Sequence, residues 1–179
     1  MRSFIYALAT GLAGAAVLHI LIILAVPHFT GRDAFTRIEG YEEAGRFFPL
    51  TDRPNSLGLS NGDPFLRLAV CAFSVEDRPV HLLAAGALPF WSYSVFDSSS
   101  NEIYSMNDRT ALRGNLDTII ASPAQLTVLR KDNPDIVAQS VLVEMPAIEG
   151  YVVLRALATD AGTLARAEAF LGSASCESL

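Results

Sequence analysis

The chain is poor in lysine: of its 13 basic residues only Lys131 is a lysine. It holds three histidines, two cysteines and one tryptophan in 179 residues. No Cys-x-x-Cys pair occurs, and His81 stands far from His19 and His28. The three or four ligands of a zinc site are therefore not found at workable spacing. A Ser-His-Asp set can be drawn from His81 and the many serines, but no Gly-x-Ser-x-Gly elbow presents a nucleophile. The formal charge is −6 and no Lys/Arg cluster interrupts it, which argues against a nucleic-acid surface. No internal repeat or low-complexity tract is present. Composition thus assigns no metal, no cofactor and no catalytic residue. An uncharacterised hydrolase is only the third reading.

Charge is also missing from one long run. Ser3 to Val26 contains no Asp, Glu, Lys or Arg, and its titratable side chains are Tyr6 and His19. As a helix this run extends roughly 36 Å, against a hydrocarbon layer about 30 Å thick. It is expected to cross a membrane once, as a helix closed by Pro27. The leading flank is short and carries Arg2. The trailing flank sets Arg32 and Arg37 against Asp33, Glu39, Glu42 and Glu43. A basic leading end followed at once by an apolar run has the form of a signal-anchor, with the rest of the chain outside the cytoplasm. A cleaved signal peptide is the alternative; the run exceeds the usual h-region, and no A-x-A site follows. Ala7, Gly11, Ala15 and His19 recur every four residues, so they form one row of the helix. Such a row lets a second helix approach closely, with itself or another membrane protein as partner. The plainer reading is that small residues are common in membrane helices.

The expected organisation is an anchor over 1–27, a juxtamembrane helix and loop over 28–64, and a β-domain over 65–179. Asp33 is placed to cap a helix over about 34–44, with Phe35, Ile38 and Tyr41 near one face and Gly45 as its stop. Phe47, Phe48 and Leu50 form an apolar knot. Residues 51–64 are dense in Pro, Gly, Asn and Asp and read as an ordered loop. From Arg67 the pattern is that of strands. A strand around Leu68, Val70 and Phe73 turns at Glu76 to Pro79 into Val80 to Ala84 as its partner. Phe90 to Phe96 alternates, with Trp91, Tyr93 and Val95 on one side and Phe90, Ser92, Ser94 and Phe96 on the other. Asp97 to Asn101 turns it into a second strand, Glu102 to Met106. Further strands are expected at Ile119-Ile120, Leu126 to Leu129 and Val137 to Val143. Tyr151 to Ala158, apolar and β-branched, reads as a central strand. Thr159 or Asp160 then caps a closing helix with Leu164, Ala167 and Leu171 on one stripe and Gly172 as its stop. About seven short strands at turn-marked intervals predict a mainly β protein, an antiparallel β-sandwich rather than a parallel α/β sheet.

The run Pro89 to Thr110, PFWSYSVFDSSSNEIYSMNDRT, resembles the C-terminal signature of bacterial domain-of-unknown-function family 1214, often found with family 1254. The matching residues are Phe90-Trp91-Ser92, the turn Asp97 to Asn101, Tyr104, and Asp108-Arg109-Thr110. The closing strand and helix match Tyr151 to Leu171. The resemblance implies a jelly-roll-like sandwich and, for short single-anchor forms, an inner membrane; the arginine bias suits a GC-rich bacterial genome. It implies no chemistry.

Three groups remain as candidates for function. Cys71 and Cys176 are either paired, as two cysteines outside the cytoplasm often are, or a buried thiol and a frayed tail thiol. Asp108 and Arg109 follow a strand directly, where they bracket a ligand carboxylate or sugar hydroxyls. Alternatively Asn107 and Asp108 form a turn that an Arg109 ion pair holds. Trp91, with Tyr93 and Tyr104, is either an aromatic platform beside them or part of the core. The leading expectation is a periplasmic sandwich that contacts another envelope protein without catalysis. The runner-up is a module binding a carboxylate or carbohydrate at Asp108, Arg109 and Trp91.

Overall fold

The computed structural model describes residues 2–29, 34–40 and 46–179. The chain separates into two units, one up to Asp33 and a larger one from Ala34 to Leu179. The first unit is a single helix, α1 (Arg2–Phe29). Its Arg2–Val26 stretch is long and apolar enough to cross a membrane. Pro27 does not close it as expected: proline lacks an N–H but has a helical φ, so the backbone continues to Phe29.

The second unit begins with α2 (Ala34–Glu39), which buries Phe35 and Ile38. It is shorter than the sequence suggests, with a turn at Gly40; Asp33, Tyr41, Ala44 and Gly45 lie outside the described residues. Nine strands follow among the described residues, in two sheets. The first sheet is wholly antiparallel. It has the order β1-β2-β8-β4-β5, from β1 (Phe48–Pro49), β2 (Leu66–Ser74), β8 (Glu149–Leu157), β4 (Trp91–Asp97) and β5 (Glu102–Asn107). The second has the order β7-β6-β3-β9, from β7 (Val141–Glu144), β6 (Leu116–Ala121), β3 (Val80–Ala84) and β9 (Ser175–Ser178). The protein is therefore a β-sandwich with an added apolar helix. One core lies between the sheets. Cys71, Phe73, Trp91, Tyr93, Val95, Val152 and Leu154 enter it from one sheet, and Leu82, Leu116, Ile120 and Cys176 from the other.

The central strand is β8, flanked by β2 and β4 over its length. Its apolar, alternating composition leads there, since both neighbours and both faces must be satisfied. The hairpin β4–β5 also forms as expected, and its register sets Ser92 opposite Asn107 and Ser94 opposite Ser105. Its turn is held by Asp97, whose Oδ1 accepts from the N–H groups of Ser99 and Asn101 at 2.9 and 2.8 Å.

Other expectations are corrected. β3 does not pair with β2; the Glu76–Pro79 link carries the chain to the other sheet, where β3 lies between β6 and β9. Leu126 to Leu129 is not a strand but part of α3 (Pro123–Asp132). Ser122 caps that helix in a capping box with Gln125, and Pro123 sits at its first position. Val137 lies in α4 (Pro134–Gln139), and only Val141–Glu144 is strand. β7 then runs parallel to β6, so one βαβ crossover interrupts the antiparallel plan. α3 and α4 cover the outside of that pair through Leu126, Leu129 and Val137 against Ile119 and Ala121.

The Phe47–Phe48 knot is split by strand alternation: Phe47 enters the main core, while Phe48 joins Phe35, Ile38 and Tyr151 on the outside of the first sheet. The 51–64 loop is ordered and belongs to this unit. Asn61 is buried, and its Nδ2 donates to Asp52 Oδ1, Asp63 O and Leu66 O. α5 (Ala161–Gly172) has its Asp160 cap and buries Ala167, Phe170 and Leu171. The tail beyond it is not frayed. It forms β9 along β3, and an antiparallel bridge joins Ser175 to Arg46 beside β1.

Candidate functional site

The two faces of the β4–β5 hairpin hold most of the residues at issue. On the inner face, Trp91 and Tyr93 are fully buried, as strict alternation requires. The Trp91 ring lies 5.6 Å from Phe170 and 6.5 Å from Tyr93, and its Nε1 donates to Gly114 O at 3.2 Å. The Tyr93 hydroxyl pairs with Thr118 Oγ1 at 2.7 Å, across the core to the other sheet. Burial pushes the Tyr93 phenol well above its ordinary pKa. These rings are core, so they offer no platform to a ligand.

Asp108, Arg109 and Trp91 are only partly brought together. Asp108 N–H donates to Trp91 O at 3.1 Å, and both residues line a cavity of about 460 Å³ with Arg113 and Gly114. Arg109 does not line it and is exposed. The loop is the expected turn, though among the described residues no ion pair of Arg109 holds it. Asn107 O accepts from the N–H groups of Thr110 and Ala111, and Asn107 Oδ1 accepts from Arg109 N–H. The arginine that lines the cavity with Asp108 is Arg113, held in a left-handed conformation at φ 58° next to Gly114 at φ 72°. Asp108 Oδ1 is enclosed and has no hydrogen-bond partner.

On the outer face, α2 and Leu50 and Leu59 of the loop cover the β1–β2 side of the first sheet. That cover reaches Phe96 of β4, and Ser94 is itself buried, but among the described residues no helix or loop of the cluster lies over the rest of the β4–β5 side. Ser92, Ser94, Ser105 and Asn107 point outward there, and with Phe90 and Thr110 they line a groove of about 370 Å³. Arg155 of β8 points to the same face, opposite Ser92, and its Nη1 donates to Ser94 Oγ at 2.9 Å. No carboxylate among the described residues pairs with it. Sequence reasoning does not single out this group. The available signal is a lone arginine in the apolar run VVLRAL, but only the strand register shows what lies beside it.

The remaining candidates are placed as follows. Cys71 of β2 and Cys176 of β9 form a disulfide between the two sheets, with Cα atoms 6.7 Å apart. Ala7, Gly11, Ala15 and His19 share one row of α1, and no atom lies within 4 Å of where a Gly11 Cβ would stand. His81 Nε2 lies 2.8 Å from Asp117 Oδ1, and no hydroxyl among the described residues bonds this pair. Among the described residues no three His, Cys, Asp or Glu side chains come together to hold a metal ion.

No family model and no curated protein matches the chain. Two solved structures are similar. The VPA0106 protein of Vibrio parahaemolyticus is 12% identical with a TM-score of 0.51, over 65% of this chain and 28% of that one. An uncharacterized protein from Burkholderia cenocepacia is 13% identical with a TM-score of 0.43, over 64% of this chain and 32% of that one. The chain thus spans a third or less of the length of these proteins. The first likeness places the sandwich in a known kind of fold and says nothing of activity. The chain is, in class, a β-sandwich preceded by a helix fit to cross a membrane.

Proposed function

We propose that this is a single-pass bacterial inner-membrane protein whose sandwich lies in the periplasm and acts as a non-catalytic interaction module for another envelope protein. The observation that carries the reading is the Cys71–Cys176 disulfide behind a helix long and apolar enough to cross a membrane. Disulfides persist in oxidising compartments, and a helix of this kind delivers the following domain to one. A sandwich with an uncovered sheet face and no assembled nucleophile or metal site among the described residues suits recognition. Membership of family 1214, drawn from Phe90-Trp91-Ser92, Asp97 to Asn101 and Asp108-Arg109-Thr110, belongs to the same proposal. The helix row Ala7, Gly11, Ala15 and His19 is a second route of contact, to a membrane helix of this or another chain.

The test is made in the native membrane. Thiol labelling after denaturation without reductant should find no free cysteine, and a periplasm-dependent reporter at the C terminus should be active. Crosslinking should then capture a discrete envelope protein or a second copy. Two free thiols with an inactive reporter would remove the compartment. An uncrosslinked protein under every condition would remove the interaction role.

A further inference from the structure

The geometry points to a binding site for a sugar acid on the open outer face of the first sheet, with Arg155 holding the carboxylate. This goes beyond the interaction reading and does not depend on the compartment. Arg155 is a half-buried guanidinium in the central strand of a chain with net charge −6. A cation drawn out of water is ordinarily paired. This one makes a single hydrogen bond, to Ser94 Oγ, and faces no carboxylate among the described residues. Its fork still has donors for an anion, and a carboxylate matches that fork in a planar, two-bond geometry.

The surroundings narrow the ligand class. Beyond Arg155 the register sets Ser92 and Asn107 in one row and Ser94 and Ser105 in the next. Asn107 Oδ1 is engaged by Arg109 N–H, which leaves its amide N–H₂ as a donor. Ser94 is buried with its Oγ taken up by Arg155, so the patch offers the hydroxyls of Ser92 and Ser105, which both donate and accept, next to an amide donor. That is the complement of a polyhydroxylated molecule. Half-buried Phe90 closes the groove at one end and gives the C–H face of a sugar ring an apolar contact. A neutral sugar would leave the guanidinium unpaired, and a bare carboxylate would leave the hydroxyl rows to water.

The probe is glucuronate, titrated against the full-length protein in neutral phosphatidylcholine nanodiscs and followed by saturation-transfer NMR, with glucose and acetate as comparisons. Glucuronate should bind saturably, and glucose and acetate each at least about tenfold more weakly, since a charge-assisted fork and a hydroxyl row each contribute that much. Arg155→Lys keeps the charge without the fork and should weaken glucuronate at least about tenfold. Ser105→Ala, at an exposed position, should weaken it about threefold with the fold unchanged by circular dichroism. Absence of saturable glucuronate binding overturns the site. So does glucose or acetate binding as tightly as glucuronate, or Arg155→Lys and Ser105→Ala both binding like the wild type.

Discussion

The two long sides of the sandwich are built differently. On one, β1 and β9 meet: Ser175 bridges to Arg46, and the disulfide ties β2 to β9 just inside. On the other, β5 and β7 each have one neighbour and stand as edges. β7 has the α3–α4 crossover over its outer face. β5 has no helix over it among the described residues and is blunted by polar residues, Glu102, Ser105 and Asn107. The closed side brings together the first and last strands of the unit, which are the segments a two-sheet fold most needs to secure. The open side carries the hydroxyl rows.

Removing the closed side's covalent bond tests that division most severely. Cys71 and Cys176 are fully buried and 105 residues apart. Closing a loop of that length stabilises by about 4–5 kcal/mol in the chain-entropy account. The Cys71→Ala, Cys176→Ala double variant should lose that order of stability in urea unfolding of the full-length protein. A loss below about 1 kcal/mol would mean that the closed side is not where stability is held. Gly150 comes next, where the central strand passes between the two sides. A Cβ there would collide with Phe96 O and lie 2.7 Å from Met145 Cε. The carbonyl belongs to the β4 ladder and cannot give way, so Gly150→Ala should cost about 3 kcal/mol by overpacking. A thermal midpoint unchanged from wild type would show that β4 shifts freely, and that the open side is as loose as an unsecured edge.

The first sheet is legible in the sequence because its strands alternate cleanly. Trp91, Tyr93 and Val95 against Ser92 and Ser94 leave one register that puts the rings in the core and the hydroxyls on the outer face. Tyr151 to Leu157 is apolar on both faces but for Arg155 and belongs in the middle. The second sheet is harder to read for physical reasons. Leu126, Val128 and Leu129 form a short apolar run that periodicity alone cannot divide between helix and strand. The deciding signal is Ser122-Pro123 with Gln125 three residues after the serine. β9 is Ser-Cys-Glu-Ser, which has no apolar pattern and becomes a strand through its partner β3 and its cysteine. The candidate site is obscured in a related way. Closeness along the chain points to Arg109 as the guanidinium near Trp91. Arg113 and Arg155 are the ones that loop closure and strand pairing bring to the cavity and the open face.

The mildest test concerns the turn that ends the open side. Burial works to raise the Asp97 carboxyl, but hydrogen bonds from the Asn101 side chain and from the N–H groups of Asn101 and Ser99 outweigh it. The folded-state pKa is therefore below the ordinary carboxylate value of about 3.9. A group shifted in that direction stabilises the fold above its unfolded pKa, and the contribution is lost as pH falls through the folded one. Thermal unfolding of wild type and Asp97→Asn should differ at pH 7, and the gap should close as pH falls below the unfolded carboxylate value of about 3.9 and on through the lower folded one, where both side chains are neutral. The gap at pH 7 should stay well under about 1 kcal/mol, because the carboxylate is largely open to solvent and screened. A gap that persisted unchanged into acid would assign the effect to the amide's altered hydrogen bonding instead of to charge. A gap as large as that of the disulfide variant would place stability on the hairpin side and reverse the contrast between the two edges.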